Sequence, residues 1–173
     1  MDSRGQAYSV FKLLIAAIVA GAILLILLQT LQILPNIGST NPNSAASNAV
    51  KSKINEPGLP DLIENITFNK GDSLNAKTIA LESKVIDQER VCVLVSESAP
   101  NYEAFDTPTD KVLIYEGSFT QKSRLLVMCD RGDELTDSLE AYGYDDDPYN
   151  IDTADCEGID TTNKYCLVAV ISD

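Results

Sequence analysis

The side chains with most chemistry to offer stand late in the chain, in Asp145-Asp146-Asp147-Pro148-Tyr149-Asn150-Ile151-Asp152-Thr153-Ala154-Asp155. Carboxylates and amide carbonyls that converge on one point bind calcium, which takes about six to eight oxygen ligands. Asp145, Asp147, Asn150 and Asp152 are the candidate ligand set. Their spacing is not that of the helix–loop–helix calcium site, and the glycine that such a site needs at its turn is missing. A solvated acidic loop is the simpler reading of the same residues, and no other cofactor is called for. Tyr142, Tyr144 and Tyr149 cluster in this stretch. They offer a contact surface for a partner or a sugar, or they cap the edge of a core.

Four cysteines, Cys92, Cys129, Cys156 and Cys166, offer thiolates for a metal or sulfurs for two disulfides. No pair has the two-residue spacing of a zinc knuckle and the chain has no histidine, which disfavours zinc. Disulfides then imply an oxidising, exported setting. Spacing does not choose among the three pairings. Cys92–Cys129 with Cys156–Cys166 is preferred, because the second pair closes a short local loop. In an exported domain Asn65-Ile66-Thr67 is an acceptor for an N-linked glycan.

Catalysis has little to work with. Without histidine every His-based nucleophile activation is excluded. There is no glycine-rich phosphate loop, and carboxylates are too many to single out a glycosidase pair. The chain reads as a non-enzyme. Its 173 residues carry 26 acids against 13 bases, a formal net charge of −13. Of these, only Asp2, Arg4 and Lys12 precede residue 51. A domain so acidic repels phosphate, so nucleic acid is not a partner.

The elements that must carry these groups begin with an apolar rod. Leu13 to Leu28, LLIAAIVAGAILLILL, has no polar side chain on any face. Such a helix must be surrounded by apolar matter, either lipid or copies of itself. Arg4 and Lys12 lie before it, which places the N-terminus in the cytoplasm and the rest outside. Ala17 and Gly21, four apart, lie on one face and allow close helix approach, although small residues are common in membrane helices generally. Pro35 ends the helix. The Gly/Ser/Asn/Pro-rich stretch that follows reads as a flexible linker over 35–50.

Beyond it, residues 51–173 predict one domain. Asn65–Phe68 reads as a strand. The stripe Leu74, Thr78, Leu81, Val85 predicts a helix over 73–84. Val91–Val95, Val112–Tyr115 and Leu125–Met128 read as buried strands, with a wide hairpin through Glu116–Thr120 between the last two. Asp133 is set to cap a helix bearing Leu135, Leu139 and Tyr142, and Tyr165–Ile171 is the last strand. About five strands and two short helices make an α+β head with a mainly antiparallel, disulfide-linked sheet.

Three readings fit the N-terminus. A cleaved secretory signal needs a small-x-small cut after the apolar run, and Gln29–Leu34 holds none. A single-span anchor needs only the length of the run; it would make the chain a membrane-anchored extracellular binding module or receptor. The third reading turns on Arg4-Gly5-Gln6, a basic residue, a glycine and a glutamine directly before the apolar helix. Over residues 3–34 the chain resembles an archaeal type IV pilin-like protein with a class III signal peptide. The resemblance implies cutting by a prepilin peptidase between Gly5 and Gln6, with residues 1–5 as leader and 6–34 as the retained assembly helix. Many relatives carry a glutamate in the first turn after the cut; here that turn has none. The resemblance further implies membrane insertion before assembly, and then export by pilus machinery into a homopolymeric cell-surface filament. Its outward heads would serve adhesion or display, in a major or a minor subunit.

Overall fold

The computed structural model describes residues 15, 18–20 and 41–172. Contacts divide the chain into two units, Met1–Gly38 and Ser39–Asp173. In the first, residue 15 and residues 18–20 are helical, and Ile15, Ile18 and Val19 are exposed. Gly5, Gln6, Ala17 and Gly21 lie outside the described residues, as does most of the expected 6–34 helix. No described helix is long and apolar enough to cross a membrane.

The second unit opens with α1, Pro42–Lys53. The Asn41 side chain accepts a hydrogen bond from the Asn43 amide and Pro42 occupies the first helical position, so the Asn-Pro pair starts a helix. Ala45, Ala46, Ala49 and Val50 form its buried stripe. The 35–50 linker expected from composition is thus corrected: residues 42–50 belong to a packed helix, and residues 35–40 lie outside the described residues. Next come β1 (Asp61–Phe68), β2 (Ser73–Asn75) and α2 (Ala76–Ser83). Asn75 caps α2, accepting from the Lys77 and Thr78 amides. The expected 73–84 helix starts three residues late because 73–75 pair with a strand. Its buried face is Ala76, Ile79, Ala80 and Ser83, so the stripe read from the sequence is not the packed one.

The remaining elements are β3 (Val91–Val95), β4 (Phe105–Thr109), β5 (Val112–Tyr115), β6 (Gln121–Arg131), α3 (Gly132–Tyr142) and β7 (Lys164–Ile171). The main sheet has the order β1-β6-β7-β3, antiparallel except for the β3–β7 pair, and a second antiparallel sheet runs β2-β5-β4. The expected hairpin between β5 and β6 does not form, since these strands lie in different sheets and residues 116–120 cross between them.

The main sheet is buried on both faces, which is why β6 and β7 read as unbroken apolar runs. Leu125, Val127, Val168 and Val170 face α1, α2 and the small sheet. Leu126, Met128, Leu167 and Ala169 face α3 and the segment that follows it. The head is therefore three layers deep.

Two disulfides close it, Cys92–Cys156 and Cys129–Cys166. The expected pairing is corrected by topology. Cys129 and Cys166 stand directly opposite on β6 and β7, with Cα atoms 4.0 Å apart. Strand β7 separates Cys92 on β3 from Cys129 on β6. Cys92 and Cys156 lie in the α3 layer, whereas Cys129 and Cys166 lie in the layer on the other side.

Candidate functional site

The two outer layers differ in charge. On the α3 side, residues 132–160 carry eleven acids and neither lysine nor arginine. The segment after α3 is held to the sheet by the Cys92–Cys156 disulfide, by buried Tyr144 and Ile151, and by the Ser96 hydroxyl donating to the Tyr149 carbonyl. Tyr144 and Tyr149 pack ring to ring at 5.2 Å, and burial pushes the Tyr144 phenol above its ordinary pKa. These two tyrosines line the core, leaving Tyr142 exposed.

The proposed calcium ligands are only partly brought together. Asp145, Asn150 and Asp152 share a cleft of about 380 Å³ with Glu140. Asp147 is exposed and does not line it. Asp152 Oδ1 accepts from the Ala154 amide at 2.7 Å, and Asn150 Nδ2 donates to Glu97 at 3.2 Å, so two of the groups are already used locally. Among the described residues no group of three or more His, Cys, Asp or Glu side chains is placed to hold a metal ion.

At the far end of this segment Asp160 builds a tight turn. Its carboxylate accepts from the Thr162 amide and hydroxyl and from the Asn163 amide and side chain. The Asn163 side-chain bond, then the backbone donors, hold this carboxyl well below the usual carboxylate range. Asn65 occupies a bulge in β1 with φ of 60°, and its side chain is exposed, so the sequon is open to modification.

The opposite layer carries a cleft of about 930 Å³ between α2, the turn that follows it and the start of β7. Lys77, Lys84, Arg90 and Lys164 line it, together with Asp87 and Glu89. Lys164 Nζ donates to the Ile54 carbonyl at 2.8 Å, while Lys77, Lys84 and Arg90 enter no ion pair within 4 Å among the described residues. The apolar part is Leu81 and Val85, 66% and 41% exposed. These are members of the stripe that predicted a buried helix face; Leu81 points outward from α2 and Val85 lies beyond its end, and both line the cleft. The four cations are spread from residue 77 to residue 164, so no local run of charge announced them.

No family model, curated protein or solved structure matches the chain.

Proposed function

We propose that the chain is a non-catalytic subunit of a type IV pilus-like cell-surface filament, cut after Gly5, inserted in the membrane with its head outside, and then polymerised through its N-terminal helix. The observation that carries this is the order of parts: Arg4-Gly5-Gln6, then an apolar run with no polar face, then an acidic head. A cut at Gly5 removes only the hydrophilic leader and leaves the apolar helix on the mature chain. The exposed apolar side chains at Ile15, Ile18 and Val19 need cover from outside their own helix. In a membrane lipid supplies it, and in a filament the same helix of a neighbouring copy does. The head supports the reading in two ways. Its two disulfides suit an exported domain. Its first helix begins at Pro42, so only residues 35–41 of the sequence separate the packed head from the expected 6–34 helix.

Intact-mass measurement and N-terminal sequencing of the native protein test this directly. The expected chain begins at Gln6, free or as pyroglutamate, and is recovered from sheared filaments. A chain that keeps Met1 and is extracted by detergent as a dispersed monomer refutes the proposal and favours the single-span anchor.

A further inference from the structure

The charge layout of the head has a consequence for how copies meet. The cationic, partly apolar cleft and the acidic segment lie in layers on opposite faces of the main sheet. One chain cannot bring its own acidic segment to its own cleft. We infer that the cleft lined by Lys77, Lys84, Arg90 and Lys164 is a docking site for the acidic segment, residues 140–152, of a second copy of this chain. The inference deepens the filament reading and rests on it for the setting in which heads are crowded together.

Charge complementarity selects this occupant. The cleft holds four cations against two acids in a chain that is otherwise strongly negative. Residues 140–152 present exposed Glu140, Asp146, Asp147 and Asp152 with no cation between them. Exposed Tyr142 and Pro148 on the segment match exposed Leu81 and Val85 in the cleft, so apolar surface is covered where the charges pair. Because different patches meet, the contact is heterologous and repeats from copy to copy, as a filament or a ring requires. Opposed charges at such a contact set register and reject wrong partners.

Cysteine cross-linking on cells displaying the full chain tests the contact. One set of copies carries Leu81→Cys and another Asp146→Cys, both at exposed positions. A short bismaleimide is expected to join 81 to 146 in the mixture, and to give a ladder when both changes sit in one chain. Lys84→Glu with Arg90→Glu on the Leu81→Cys copies is expected to lower the yield at least about tenfold. Glu140→Lys with Asp147→Lys on the Asp146→Cys copies should then restore most of it. A product joining 81 to 81, or joining 81 to a different protein, overturns the inference. Filaments of correctly trimmed subunits that lack the 81–146 product also overturn it, and leave the filament reading standing. The same product on chains that keep Met1 supports the contact while removing the filament.

Discussion

Gly132 is a position where two physical arguments predict opposite signs. It is the first residue of α3, and by helix propensity alone Gly132→Ala stabilises by up to about 1 kcal/mol. The structure predicts the reverse. A Cβ on Gly132 would lie 2.0 Å from the Asp160 carbonyl oxygen and 2.5 Å from Ile159 Cγ2. The first neighbour is backbone, so relief requires the 159–163 turn to move by about an ångström. That turn also receives the Gly132 amide through its bond to the Asn163 carbonyl at 3.0 Å. Overpacking costs about 1–3 kcal/mol and the lost hydrogen bond about 1 kcal/mol. After the propensity gain, the net destabilisation is about 1–3 kcal/mol. For a domain spanning 41–172, that corresponds to a fall in melting temperature of about 4–11 °C. Thermal unfolding followed by near-ultraviolet circular dichroism at pH 7, with the disulfides intact, measures it. A variant that melts at or above the wild-type temperature would refute the close approach of α3 to the 159–163 turn.

Two further outcomes follow from the covalent frame and the turn. Non-reducing peptide mapping should recover residue 92 joined to 156 and 129 joined to 166; Cys92→Ala with Cys156→Ala opens a link of sequence separation 64 and should cost about 4 kcal/mol in the chain-entropy treatment, so recovery of a 156–166 peptide would contradict the sheet order. The Asp160 carboxyl is depressed in the folded state, so its contribution to stability is present above the unfolded value near about 4 and is lost as pH falls through the lower folded value; NMR titration should find its midpoint well below the unfolded value, Asp160→Asn should destabilise at pH 7 but progressively less in acid, and a midpoint near the ordinary value would break the case for the turn.

How far the sequence could be read depended on how strong a signal each element left. Strands β3, β6 and β7 were legible because a sheet covered on both faces needs continuous apolar side chains, and Leu125–Met128 and Tyr165–Ile171 supply them, whereas β5, in the small sheet, was legible from its own apolar run Val112–Tyr115. Helix α3 was legible from Leu135 and Leu139, which are buried. Helix α1 was not, because its buried stripe is mostly alanine and its Asn-Pro start is equally a turn signal. At α2 the larger side chains misled: Leu81 faces outward and Val85 lies beyond the helix end, while Ala76 and Ala80 pack, and a period cannot say which side meets the core. The disulfides depended on strand order, which places β7 between β3 and β6 through chain that is distant in sequence. The cationic cleft was invisible for the same reason: Lys77 and Lys164 line one cleft only once β7 lies beside β3.

The distribution of charge, more than its total, limits how such heads can associate. With a net charge of −13, copies brought close together repel unless the surfaces in contact are matched. At physiological salt the screening length is about 8 Å, so what counts is which faces touch. A two-fold contact sets like against like: acidic layer on acidic layer opposes eleven carboxylates to eleven, of which Asp133 and Glu134 are paired by Arg131, and cleft on cleft opposes the same four cations. Both arrangements are penalised where water is excluded. A head-to-tail arrangement sets the cation-lined cleft of one copy against the acidic 140–152 segment of the next, and the growing series keeps a free cleft at one end and a free segment at the other. The sheet that separates those layers thereby gives the head a direction, and a directional head adds copies in series in preference to closing as a symmetric pair. In the proposed filament, association governed this way would weaken as salt is raised from low concentration, whereas burial of the N-terminal apolar helix would not, so salt would separate the two proposed contacts.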